Sequence, residues 1–338
     1  MNNSIKSSAN KTAMNVSFKD WVKSGSPFIW LNAGAVAISI IMVIGLIGFI
    51  AAKGLVHFWP AQIVEAEYVL PGNAPANILG QITDSEMVSQ TQLKAIGLKT
   101  EDNAIEAKRL LLKVGNRDVY GSDFRWVLDH HLSTKVFPET AMALERREWG
   151  NFYGYLDKVY EGNKLVADTS QDDAKAWETF QNLVTRALNI HDSIMDILTG
   201  EIGSINYALE RLRLKERAYE LDKELTQARK DEFSTTRAAL NEEYEIHQLT
   251  LTKLYTDLKR DHIIVRETGG KTVQVHISEV VRAFRPNAMN TFEKIAHYFD
   301  KLGEFLGDDP RNANTEGGVF PAIFGTVLMV ILMAIMVT

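Results

Sequence analysis

The chain has 338 residues, a formal net charge of -6 and no cysteine. The mildly acidic balance, with a pI near 5.8, gives no general drive toward nucleic acid, and the missing thiols exclude disulfides and thiolate metal sites. Charged residues at 24% and hydrophobic ones at 46% are ordinary averages, but they conceal two strongly apolar runs on either side of a polar middle.

Residues 1–27 are rich in Asn, Ser and Lys without apolar periodicity, which predicts a mobile tail. The first apolar run, 28–52, is dense from Ala33 onward. It exceeds the apolar core of a signal peptide and lacks a small-x-small cleavage pattern, so it reads as a retained transmembrane helix. Lys6, Lys11, Lys19 and Lys23 precede it, whereas only Lys53 lies between it and Lys94. That asymmetry puts the N-terminus in the cytoplasm and residues 53–318 outside, with a second span at 319–338. His57, Phe58, Trp59 and Pro60 suit the outer interface, and the small residues Gly48 and Ala52 suit close helix packing.

The exported segment has enough apolar residues for its own core. Its first part, 53–168, reads as β-rich. Val64, Ala66, Tyr68 and Leu70 alternate along a half-buried strand that Pro71-Gly72-Asn73 breaks. Further strands are predicted at 109–114 and 119–127 around a Gly115-Asn116 turn, and at 152–160 before Gly162-Asn163. The period then changes to three and four. Residues 169–261 read as a long helical hairpin or coiled coil, opened by Ser170-x-x-Asp173 as a near capping box. Trp177, Phe180, Val184, Ala187, His191, Met195 and Leu198 form its first stripe, and Gly200 and Gly203 mark a kink. Beyond the kink lie two heptad-like seams, Leu214-Ala218-Leu221-Leu225-Ala228 and Leu240-Tyr244-His247-Leu251-Leu254-Leu258. They are out of phase, which predicts a stutter or a turn at Phe233-Ser234-Thr235.

Residues 262–286 predict a β-hairpin with Gly269-Gly270 as a two-residue turn. Residues 287–307 predict an amphipathic helix with Phe292, Ile295, Phe299, Leu302 and Phe305/Leu306 on one side. Such a helix suits the outer membrane surface or a permease, or equally the exported domain itself. A polar linker, 308–318, leads to the second span. The fold class is therefore a membrane protein: two transmembrane α-helices flanking an α+β extracytoplasmic domain of short β-strands and hairpins with a long, coiled-coil-like helical hairpin.

Catalytic patterns are missing. There is no P-loop, GxGxxG, HExxH or GxSxG arrangement, so no catalytic, cofactor-binding or metal residue is assigned. His130-His131 is the only histidine pair, and on a strand adjacent side chains point apart. His57, His191, His247 and His276 read as interface, seam or surface residues, and the charges of the hairpin as a solvated face. Neither span has an internal ionisable residue, so neither marks a substrate path.

The closing stretch carries the most specific pattern: Glu316, Gly317 and Gly318, then Ala322, Ile323, Gly325 and Thr326, before a Leu/Met/Val-rich run that ends without a polar flank. It resembles the start of the permease core in the PstA-type permease subunit of bacterial ABC phosphate importers. The resemblance implies an N-terminal fragment of a long-form, multi-pass permease of the bacterial inner membrane, with a large periplasmic insertion after its first span. It also implies a second permease subunit, cytoplasmic ATPase subunits and a periplasmic phosphate-binding protein as partners, besides the lipid bilayer. ATP hydrolysis would then lie on a partner, so the chain would not be an enzyme, and the phosphate-path residues would lie beyond Thr338. Two other readings stand beside it. One is a two-span extracytoplasmic sensor truncated before its signalling part. The other is a membrane-tethered coiled-coil adaptor. Sequence beyond Thr338 would discriminate them: further spans with a coupling loop for a permease, a signalling helix for a receptor.

Overall fold

The computed structural model describes residues 18–70, 74–95, 106–308 and 318–337. Most of the predicted tail, the Pro71-Gly72-Asn73 break, and Glu316 and Gly317 lie outside them. The chain divides after Trp59 into two compact units.

In the first unit a short helix, α1 (Phe18–Lys23), turns at Gly25 into α2 (Ser26–Leu55). Gly25 has φ +76, open to a residue without Cβ, and Pro27 sits in the first turn of α2, where its missing N–H is harmless. At 1.5 Å per residue the 30 residues of α2 span about 45 Å, more than a hydrocarbon core of roughly 30 Å. No residue of α2 is buried, and its Ser39 hydroxyl donates to the Ala35 carbonyl one turn back. The helix closes in a 3-10 turn, Val56–Phe58.

The second unit opens with a four-stranded antiparallel meander in sequence order: β1 (Ile63–Tyr68), β2 (Ala76–Ser89), β3 (Glu106–Lys113) and β4 (Phe124–Leu128). A short helix, α3 (Gln90–Ala95), follows β2. The predicted strand at 119–127 is only half strand. Gly115 (φ +56) and Asn116 (φ +54) turn the chain, and Arg117–Tyr120 form a single helical turn, α4, before β4 starts. Buried Asn116 explains why. Its carboxamide accepts from the Tyr153 N–H at 2.7 Å and donates to the Tyr153 carbonyl at 2.9 Å, copying a strand where no strand exists.

The second sheet contains β5 (Met142–Arg146), β6 (Asn151–Glu161), β7 (Lys164–Asp168), β8 (His262–Arg266), β9 (Thr272–His276) and β10 (Val280–Phe284). Its order is β10-β5-β6-β8-β9, with β7 also on β6. All pairs are antiparallel, and β6 is the spine. Phe152, Leu156 and Val159 of β6 enter the main core on one face. Tyr153 on the other face joins Ile63, Leu79, Ala143 and Phe284, which seals the two sheets together. Asn287 adds a second amide clamp, bonding both the N–H and the carbonyl of Ile63. The β8–β9 connection is a five-residue loop, not a two-residue turn: Glu267 N–H donates to the Lys271 carbonyl, and only Gly270 has positive φ.

Between β7 and β8 the chain makes α5 (Asp173–Asp196), a π-helical turn (Ile197–Glu201), α6 (Ile202–Leu221) and α7 (Gln227–Leu258). The cap of α5 is Asp172, which accepts from the Lys175 N–H at 3.0 Å; Ser170 bonds Asp168 instead, and Asp173 holds Arg285 through two 2.7 Å bonds. Ala176, Phe180, Val184 and Ala187 of α5 are buried in the core of the second sheet. The π turn falls at the predicted Gly200 kink. The hairpin reverses at 222–226, however, not at 233–235. Glu224 N–H reaches the Tyr219 carbonyl and Lys223 N–H the Glu220 carbonyl, a Schellman closure with Lys223 at φ +58 where glycine is usual. Phe233 is buried within α7, beside the Tyr219 ring.

The seam of α7 faces inward as its spacing suggests, with Leu251 and Leu258 buried. The α6 seam does not: Leu214 and Leu221 are exposed, and Ile202 and Ile205 are buried instead. The helices pair as a hairpin without the regular seam of a coiled coil. After β10, Asn290 and Glu293 form a capping box that starts α8 (Thr291–Gly307), and the apolar α9 (Phe320–Val337) completes the described chain. Two apolar helices thus flank an α+β domain in the sequence, each long and apolar enough to cross a membrane.

Candidate functional site

Ala322, Ile323, Gly325 and Thr326 occupy the first turns of α9, with Gly318 just before it. No residue of α9 is buried, and Thr326 turns its hydroxyl onto the Ile323 carbonyl at 2.8 Å. In both apolar helices, therefore, a hydroxyl bonds a carbonyl of its own helix, as Thr179, Thr185 and Thr199 do in the helices of the α+β domain.

A cavity of about 790 Å³ lies elsewhere, where β1 and β2 of the meander meet the α4 turn and the β8–β9 loop. Glu67, Tyr120, Ser122, Arg125, Glu267 and Thr268 give it its chemistry. Arg146, itself buried, positions the rim by forking onto Asp118 at 2.9 and 3.0 Å, beside Tyr120. Burial alone would raise the Asp118 carboxyl, but the hydrogen bonds and charge of Arg146 outweigh it and hold the group below its usual range.

The β8–β9 loop is the innermost wall. Glu267 is only 7% exposed, and its Oε2 has no hydrogen-bond partner among the described residues. Its Oε1 folds over Gly269, where an added Cβ would lie 2.7 Å from it, so a larger residue there would push the Glu267 carboxylate aside. Thr268 and Tyr155 both donate to Glu65, each at 2.8 Å. Burial, then that bond and the charge of Glu65, push the Tyr155 phenol far up, so it remains a donor at any physiological pH. Two carboxylates against one guanidinium make this cavity a poor trap for an anion and a better one for a ligand that brings hydrogen-bond donors or positive charge. Nothing in the sequence singled it out, since its walls come from four distant segments and common residue types.

The histidine pair is placed differently from its sequence reading. His130 and His131 lie on a 3-10 turn, not a strand, with rings 4.1 Å apart. Among the described residues no group of three or more His, Asp or Glu is positioned to hold a metal ion.

A second unusual surface is α8. Its inner side is polar: Lys301 meets buried Glu145 of β5 at 2.7 Å and Glu304 at 3.5 Å, and Arg282 of β10 meets Glu304 at 3.2 Å. His297 is buried there too, its ring 4.4 Å from that of Phe284. Burial first, then the charges of Arg282 and Lys301, lower its pKa to about 4, against the opposing pull of Asp300 and Glu304. The outer side is apolar, with Phe292 85% and Phe299 63% exposed.

Comparison with protein-family models, with curated proteins and with solved structures gives no significant match to this chain.

Proposed function

We propose that this chain belongs to the permease subunit of an ATP-driven phosphate importer, with residues 60–308 as an exported domain. The carrying observation is the pair of long apolar helices without a buried residue, on either side in the sequence of a domain with its own cores. The resemblance of Glu316, Gly317, Gly318, Ala322, Ile323, Gly325 and Thr326 to the opening of the PstA-type core supports the finer assignment. In this reading α2 enters from the cytoplasm of a bacterial inner membrane and α9 returns to it. The chain is not an enzyme. Cytoplasmic ATPase subunits supply the energy, a phosphate-binding protein delivers substrate, and helices other than these two line the path.

The test is transport. Cells deprived of this chain should lose ATP-dependent uptake of radiolabelled phosphate, and re-expression should restore it; undiminished uptake rejects the importer. Orientation can be tested because the chain has no cysteine. A single Ser170→Cys should react with an impermeant maleimide in intact spheroplasts, and Lys6→Cys should not.

The buried Oε2 of Glu267, unpartnered among the described residues, favours a second reading, an extracytoplasmic sensor with this cavity as its ligand site. The two separate cleanly: Glu267→Gln leaves phosphate uptake unchanged in a permease whose cavity is incidental, and abolishes ligand response in a sensor.

A further inference from the structure

An amphipathic helix on a water-facing domain buries its apolar stripe and shows its charges. Helix α8 does the reverse. Phe292, Ile295, Phe299 and Leu306 stand out from the domain, while Lys301 and His297 are the residues it buries. The arrangement is fixed from beneath, because Glu145 is buried on β5 and Lys301 supplies its counter-charge. Rotating the apolar ridge inward would break that ion pair.

The C-terminal turn of α8 also touches the start of the second apolar helix. The Val319 N–H donates to the Phe305 carbonyl at 2.9 Å, one residue before α9 begins. Whatever medium receives α9 therefore begins at the end of α8. The helix is about 26 Å long for its 17 residues. It carries Glu293, Lys294, Asp300, Lys301 and Glu304, so it has no basic excess to draw it to anionic lipid.

From these observations we propose that α8 lies flat in the membrane interface, its Phe292–Phe299–Leu306 ridge among the upper acyl chains of the bilayer that α9 crosses, and that the Lys301–Glu145 contact fixes the domain to that surface. The inference rests on α9 being a span. The partner is a phospholipid surface of no particular headgroup charge, engaged through apolar area.

The cysteine-free full chain makes the test direct. Single Phe292→Cys, Phe299→Cys, Asp300→Cys and Ile331→Cys variants are spin-labelled and reconstituted in phosphatidylcholine nanodiscs. Accessibility to oxygen is then compared with accessibility to a water-soluble nickel chelate. The expected pattern is oxygen-dominated at 331, oxygen-dominated but shallower at 292 and 299, and nickel-dominated at 300, unchanged by high salt. Nickel-dominated labels at 292 and 299 with 331 in the core overturn the proposal, as do labels there shielded from both reagents, which would mean a protein cover. A nickel-dominated label at 331 overturns the span itself, and with it this inference.

Discussion

Helices α5 and α8 carry the same kind of apolar stripe and face opposite ways. α5 presses Ala176, Phe180, Val184 and Ala187 onto the second sheet, and Phe180 is wholly buried. α8 turns Phe299 outward and buries Lys301. Both are properly capped, α5 by Asp172 and α8 by Asn290 with Glu293. The difference lies in the sheet surface each one meets. Under α5 that surface is apolar, from Phe152, Val159 and Ile263. Under α8 it presents Glu145 and Arg282, and buried charge is tolerable only when paired. Periodicity identifies a face; the neighbour decides which medium receives it.

The sharpest test of that contrast is the core of α5. Phe180→Ala should cost about 3–5 kcal/mol, the range for emptying a buried aromatic site, measured as a shift in urea midpoint of the detergent-solubilised chain. Lys301→Met comes next, at about 2–4 kcal/mol, since it removes the counter-charge of buried Glu145 while Lys301 itself keeps a little solvent contact. Adding Glu145→Leu should recover most of the loss. If the double variant is no better than the single, the pair does not set the orientation of α8.

Acid should weaken the α8 contact through His297. Its folded pKa of about 4 lies below the unfolded value near 6.5, so between those values the unfolded chain binds the extra proton. The neutral imidazole's stability is fully present above about pH 6.5 and is lost as pH falls toward 4, on the order of 3 kcal/mol in all. His297→Gln should flatten that part of the stability–pH curve and leave the slope above pH 7 unchanged, with a pH-independent offset from the lost ring contact with Phe284. The smallest effect belongs to Phe299→Ala, within about 0.5 kcal/mol in the same denaturation assay, because an outward side chain loses no core packing. A loss comparable to that of Phe180→Ala would erase the contrast between the helices.

Much of the layout was legible from local pattern. Both apolar runs, the β6 strand, the β8 and β9 strands, the α5 stripe and the inward face of α7 follow from period and composition. The elements that escaped did so for physical reasons. β2 is long but largely polar, with Thr83, Asp84, Ser85 and Glu86 exposed in its middle, so no alternation marks it. β5 is buried at every position and too short to display a period. The hairpin reversal hides behind Lys223, a residue that enters the left-handed region without announcing it. The cavity was invisible because Glu67, Arg125 and Glu267 become neighbours only through the stacking of two sheets. The direction of α8 required knowing that Glu145 waits beneath it.

The π turn at Ile197–Glu201 bears on how this hairpin tolerates changes of length. A turn of that kind holds about one residue more than an α turn, while the helices on either side keep facing as they did. It is thus the one place in the α5–α6 rod with a residue to spare. Deleting Gly200 should let the rod close into regular α-helix with Ile194 and Ile202 still inward and the melting temperature nearly unchanged. The same deletion one turn into α6 has no slack to draw on, and it would rotate everything beyond it by about 100°. A length change is therefore harmless inside Ile197–Glu201 and ruinous on either side of it.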